Sequence, residues 1–312
     1  MSVAVDLERL QPILRGLGVA DAAAAVPMVG GSAPVFRLDL ADGERLILKT
    51  YPDDRPWNPQ KDAYAAGLLR DLGLPVTQYR LIDQGKMRLP FRFALTNYLP
   101  GVPAEDLKND PQIADVHRQM GALIRKLHAV RMPGYGRVSA EGVVRPTASH
   151  VDYMRAIIAE TFERFAHFGG DAALAEKLRA IVEARFDAVV PFSAGPVFAH
   201  DDVHPNNVLV TRGADGRLAI SGLIDFGNVR AADAIYDLAK CIFCSEHQAP
   251  GCGAAMLAGY GAIDHPDPAG ALQYYTLLHR MMMWWWLRHI GEIAADEPHG
   301  LLGDLRAMAG AD

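Results

Sequence analysis

Two acids and an amide lying within one short stretch are the residues of this 312-residue chain best suited to chemistry. Phe198 to Asn228 reads FAHDDVHPNNVLVTRGADGRLAISGLIDFGN. It holds His200, Asp202 and Asn207 as a His-x-Asp-x-x-x-x-Asn element and, near its end, Asp225-Phe226-Gly227. Val208-Leu209-Val210 and Leu218 to Ile224 are β-branched and aliphatic runs. Gly213-Ala214-Asp215-Gly216 separates them with an Asp-Gly turn signal, so they are expected to pair as an antiparallel hairpin. Such pairing sets Asn207 beside Asp225, although the two are 18 residues apart in sequence. An amide oxygen and a carboxylate converging there suit Mg²⁺, a hard cation that completes its shell from phosphates and water. Asp202, in the loop before the hairpin, is then placed to reach a hydroxyl nucleophile.

One acid for the acceptor proton and an Asn/Asp pair for the metal is the division of labour of a kinase active site. The chain departs from protein kinases, because His204 stands two residues after Asp202 where they carry lysine, and no Ala-Pro-Glu follows Gly227. It has instead His204-Pro205-Asn206-Asn207 and Ala232-Asp233-Ala234-Ile235-Tyr236-Asp237-Leu238-Ala239. With these motifs it resembles the aminoglycoside phosphotransferase and choline kinase-like family, over about residues 25 to 290. The resemblance implies an α+β, two-lobed protein-kinase-like fold. A small N-terminal β-sheet lobe (1–97), a hinge (98–103) and a larger helical C-terminal lobe (104–312) are expected. The implied reaction moves the γ-phosphate of ATP, or of GTP, to a hydroxyl of a small molecule. His200 and Asp202 are the catalytic candidates, and Asn207 and Asp225 the Mg²⁺ ligands. The acceptor favoured is an aminoglycoside-like cationic antibiotic. A metabolite such as choline, a sugar or an amino alcohol stays open, as does an inactive nucleotide-binding regulatory module.

The N-terminal part must supply the nucleotide site. Leu7, Leu10, Leu14 and Leu17 recur at helical spacing over residues 6–17, interrupted by Pro12. Strands are expected at Met28-Val29, Pro34 to Leu40 and Arg45 to Thr50. Between the first two, Gly30-Gly31-Ser32 serves either as a tight turn or as a loop whose amides approach a phosphate closely. Lys49 ends Leu46-Ile47-Leu48-Lys49, and the resemblance gives it the α- and β-phosphates. A helix is expected from Pro59 to about Leu72. The family glutamate that holds the strand lysine falls here on Ala65, and Asp62, one turn earlier on the same face, is the candidate substitute. Tyr98-Leu99-Pro100-Gly101-Val102-Pro103 resembles the family's link between lobes, which implies that backbone groups of Asn97, Tyr98 and Leu99 meet the adenine edge.

Composition narrows the class. The formal charge is −6, from 31 basic and 37 acidic residues, and shows no basic stripe, so nucleic acid is not an expected partner. Asp6, Glu8 and Arg9 stand where an export signal needs an apolar core, and a cytoplasmic enzyme is expected. Cys241, Cys244 and Cys252 are expected as buried thiols on or near a helix. Ala271 to Ile290 contains Trp284-Trp285-Trp286, but Arg280 and Arg288 break it, so no membrane span is expected. Three successive tryptophans at about 100° each cannot share a face, and at least one is expected to leave the core. Helices are further expected over 113–130, 151–168 and 172–189, and the oligomeric state stays open.

Overall fold

The computed structural model describes residues 5–28, 33–53, 58–294 and 300–310. The N-terminal elements are α1 (Leu7–Gly16), β1 (Ala22–Pro27), β2 (Val35–Leu40), β3 (Arg45–Tyr51), α2 (Pro59–Arg70), β4 (Tyr79–Asp83), β5 (Arg92–Asn97) and β6 (Val102–Pro103). They are followed by α3 (Ile113–His128), β7 (Gly136–Ser139), β8 (Gly142–Val143), α4 (His150–His167), α5 (Ala172–Val189) and β9 (Val197–Ala199). The chain continues with β10 (Val208–Arg212), β11 (Leu218–Leu223), β12 (Arg230–Ala232), α6 (Ala234–Gln248), α7 (Gly253–Tyr260), α8 (Pro268–Ile290) and α9 (Gly300–Met308). An antiparallel sheet early in the chain and a helical remainder make this the expected α+β, kinase-like fold.

Packing divides the chain into two compact units. The first gathers Met1–Val116, Val138–Gly142 and Pro205–Val229, and the second His117–Arg137, Val143–His204 and Arg230–Asp312. A single division at 98–103 therefore differs from the packing, which assigns the β10–β11 hairpin to the first unit.

In the first unit five strands pair in the order β1-β2-β3-β5-β4. Leu46 and Leu48 of β3 are buried, while Lys49 falls on the alternate side of the pleat. Asp6 caps α1, accepting from the Glu8 N–H at 3.0 Å. Leu10, Ile13 and Leu14 bury that helix against Phe36, Leu38 and Phe93 of the sheet. Three aliphatic side chains at about 1.5–3 kcal/mol each outweigh the roughly 3 kcal/mol cost of Pro12, which lies on the exposed face. The first strand is β1 at Ala22–Pro27; Met28, expected in a strand, follows it outside one, and Val29 lies outside the described residues. Alanine is a poor strand former, but Ala22–Pro27 sits at the sheet edge, where pairing with β2 from Leu40 to Phe36 fixes it. Gly30, Gly31 and Ser32 lie outside the described residues.

The second unit is built on a core of α4, α5, α6 and α8 side chains, among them Phe162, Phe186, Tyr275 and Trp284. Asp267 caps α8 by accepting from the Gly270 N–H, and Gly291 ends it in the left-handed region. The three tryptophans divide as their spacing requires. Trp284 packs on Phe165, Trp285 stacks on Phe168 under Arg164, and Trp286 is partly exposed beside His289. All three cysteines are buried and free. At Gly121 a β-carbon would meet the Met256 carbonyl oxygen at 1.9 Å, so glycine is what lets α3 and α7 touch backbone to backbone. No helix among the described residues is long and apolar enough to cross a membrane.

His279 gives this unit a pH dependence. Its Nε2–H donates to the Tyr236 carbonyl at 2.9 Å, and burial lowers its pKa from 6.5 to about 4. The unfolded chain binds the extra proton first, so stability is complete above pH 6.5 and falls as pH drops toward 4. The loss is expected to reach about 3 kcal/mol. Denaturant titrations of His279→Gln, whose amide can still donate, should lack this part of the acid slope, and an unchanged slope would exclude His279 as its source.

Candidate active site

The hairpin forms as its sequence suggests. Val208 pairs with Leu223, and the Ile224 N–H donates to the Asn207 carbonyl at 3.0 Å. That register brings Asn207 and Asp225 to the same end of the hairpin. Asp225 is left-handed at φ 65°, a conformation that costs a residue with a β-carbon about 1–2 kcal/mol and often marks a functional position. Buried Phe226 anchors the turn that follows, while the Asp225 carboxylate keeps 46% of its exposure. A carboxylate and an amide side chain carried at the same end of a hairpin are oxygen donors of the type that fits Mg²⁺. Among the described residues no group of three or more His, Cys, Asp and Glu could hold a metal.

Lys49 reaches this end of the hairpin from β3. Its Nζ lies 3.1 Å from Asp225 Oδ1 and 3.7 Å from Asp62 Oδ2, and 5.4 Å from the centre of the Tyr51 ring. Burial works against its charge, but Asp225 and Asp62 outweigh it and hold the ammonium pKa above its ordinary value. Asp62 on α2 is fully buried and accepts from the Tyr51 hydroxyl at 3.1 Å. Its pKa also rises, because burial outweighs the opposing charge of Lys49. Ala65, where a family glutamate would stand, is closed into the core. The neighbouring Lys61 donates to the Gly227 carbonyl, so α2 also touches the loop after Asp225.

Loss of the Asp62 charge is therefore expected to misplace Lys49. Asp62→Asn should lower turnover about 10-fold or more, since a charge-assisted contact contributes about 1.5–3 kcal/mol and reacting groups tolerate little displacement. Steady-state kinetics in ATP check this, and wild-type values would detach Asp62 from the lysine's function.

The link residues are tied to the hairpin. Asn97 Oδ1 accepts from the Gln78 N–H at 2.5 Å, and Arg45 lies over the Tyr98 ring at 5.6 Å. Leu99 packs against Gly222. Gly101, at φ 122°, passes so close to β10 that a β-carbon would lie 2.7 Å from the Val210 carbonyl oxygen. Val102 and Pro103 then pair with Val210 and Leu209 as a third strand. The sequence suggested a hinge here and did not show this pairing.

In the second unit the loop carrying His200 and Asp202 rests on Asp237. Its Oδ2 accepts from the His200 N–H at 3.1 Å and its Oδ1 from the Asp201 N–H at 2.8 Å. His128 Nε2 lies 2.9 Å from Oδ2, with Nδ1 2.8 Å from the Tyr260 hydroxyl. Burial pushes the Asp237 carboxyl up, but the His128 hydrogen bond and the surrounding donors outweigh it and hold the pKa below its ordinary value. His200, grouped with Asp202 as catalytic on sequence, is completely buried, which suits support of the loop and not contact with a substrate. Asp202 is 23% exposed and lies 3.9 Å from His204 Nε2. Asp237 was visible only as part of the Tyr-Asp-Leu-Ala motif. The signal that could have marked it is an acid on the apolar side of a helix, where it must find partners.

The model of the Phosphotransferase enzyme family matches residues 26–272, and the chain belongs to that family. It is similar in structure to a thermostable mutant of aminoglycoside phosphotransferase APH(4)-Ia, with TM-score 0.73, 18% identity and 98% of each chain covered. It is also similar to choline kinase LicA from Streptococcus pneumoniae, with TM-score 0.61, 15% identity and 97% of this chain and 96% of that one covered. Macrolide 2'-phosphotransferase MphH from Brachybacterium faecium follows, with TM-score 0.60, 18% identity and the same coverages. No curated protein sequence matches the chain significantly. At these identities the likeness is one of fold.

Proposed function

We propose that this phosphotransferase moves the γ-phosphate of ATP to a hydroxyl of an aminoglycoside-like cationic compound. The observation that carries the reading is the meeting of Lys49, Asn207 and Asp225 at one end of the hairpin, with Asp62 behind the lysine. Lys49 binds the α- and β-phosphates, and Asn207 and Asp225 hold Mg²⁺. When bound, the metal neutralises charge on the β- and γ-phosphates. Asp202 orients the acceptor hydroxyl and takes its proton, and the backbone of Asn97, Tyr98 and Leu99 faces the adenine. GTP is the alternative donor. ATP as donor places the reaction in the cytoplasm.

The net charge of −6 favours a cationic acceptor. A solved APH(4)-Ia mutant of this fold, with TM-score 0.70 and 18% identity, holds ADP and hygromycin B. A second reading, an amino-alcohol acceptor such as choline, draws on the partly exposed Trp286, whose ring can attract a quaternary ammonium. An inactive module is disfavoured because Asp62 supplies the acid that Ala65 lacks. ADP release from MgATP, compared across aminoglycosides, choline and neutral sugars, separates these. Activity with aminoglycosides alone supports the proposal, and activity with choline alone replaces it by the second reading.

A further inference from the structure

Asp201, between the two catalytic-loop residues singled out on sequence, has an environment that the proposed chemistry does not use. It has a β-carbon yet is left-handed at φ 58°, a region that such residues avoid. Its carboxylate is only 2% exposed and lies between two cations. Arg230 Nε of β12 is 2.8 Å from Oδ2, and Lys240 Nζ of α6 is 3.4 Å from Oδ1. A buried carboxylate without such partners would be expelled or neutralised. Arg230 is itself steadied by Tyr236, whose hydroxyl is 3.4 Å from Nη1. Lys240 feels the charges of both Asp201 and Asp202, and these outweigh burial and keep it protonated.

We propose that Asp201 is a positioning residue for Asp202, holding the peptide between them in its left-handed turn through a clamp on Arg230 and Lys240. The proposal rests on the phosphotransferase reading above. The peptide linking Asp201 to Asp202 sets the direction in which the Asp202 side chain leaves the loop. The Asp201 N–H, on the peptide that precedes this one, is bonded to Asp237, so Asp201 is held by its own amide as well as by its carboxylate. Three points of attachment over-determine a conformation that would otherwise relax. Asp201 touches neither nucleotide nor acceptor in this scheme and acts only through Asp202.

The full-length variants Asp201→Gly and Asp201→Asn test the clamp, with MgADP affinity measured alongside. Glycine adopts positive φ without cost, so Asp201→Gly keeps the turn available and removes only the ion pairs. Expected are faster hydrogen exchange at residues 200–202 and MgATP turnover lower by about 100-fold, with MgADP affinity within about twofold of wild type. Wild-type turnover in Asp201→Gly would overturn the clamp, because backbone permissiveness alone would then suffice. The double variant Asp201→Asn with Lys240→Met reduces the excess buried charge. It should recover the thermal midpoint without recovering turnover, and recovery of both would reduce Asp201 to a stabilising residue and overturn the proposal. Unchanged exchange at 200–202 in Asp201→Gly would overturn it with no acceptor in hand. Wild-type protein that turns over no MgATP would count against the phosphotransferase reading instead, leaving the exchange result to decide the clamp.

Discussion

Asp202→Asn abolishes phosphate transfer while leaving MgADP and MgATP affinity close to wild type: that is the expected result with the largest effect on turnover. The amide keeps the size of the side chain and removes the carboxylate assigned to accept the hydroxyl proton. Positioned acid–base groups contribute about 10²–10⁴-fold, and a loss in that range is expected in kcat. Nucleotide affinity should hold, because Asp202 is assigned to the acceptor and not to the phosphates. Its partly exposed carboxylate beside His204 and the Asp237-held loop behind it can survive the substitution, so the thermal midpoint should move little. Calorimetric titration and single-turnover kinetics on one preparation check both halves. A large loss of ATP affinity would move Asp202 to another role.

Asp225→Asn should do the reverse. Its carboxylate is the only charged ligand assigned to Mg²⁺, and it is also the nearer partner of Lys49 at 3.1 Å. Neutralising it weakens the metal and leaves the lysine with Asp62 alone at 3.7 Å. Metal-dependent nucleotide affinity is expected to fall about 10–100-fold, comparable to the loss when support of a metal site is removed. The Mg²⁺ concentration for half-maximal MgADP binding should rise with it. An unaltered Mg²⁺ dependence would remove Asp225 from the metal.

The juxtaposition of Asn207 and Asp225 was legible because hairpin register follows from two apolar runs and an Asp-Gly turn. Asp62 was legible for a similar reason, since helix periodicity places it one turn from the position where an acid was missing. The Asp201 clamp and the Asp237 support were not. Each joins residues more than 25 positions apart through burial and charge, and no short-range period encodes such pairs. β1 was missed because a run of alanines carries no strand signal, and its pairing comes from the edge that β2 offers. β6 was hidden inside a Pro-Gly segment, where the chain turns at Gly101 and then pairs for only two residues. His200 looked catalytic through its motif, and only its complete burial separates it from Asp202.

The central claim is that this chain esterifies a hydroxyl with the γ-phosphate of ATP, using Asp202 and the Asn207–Asp225 end of the hairpin. The most direct test is ³¹P NMR of MgATP incubated with the protein and a panel of hydroxyl compounds that includes hygromycin B and choline. The account predicts a new phosphate-ester signal growing in step with ADP, dependent on Mg²⁺ and absent with Asp202→Asn. ADP that appears only with inorganic phosphate, or a nucleotide that stays intact with every acceptor while MgADP still binds, would contradict it.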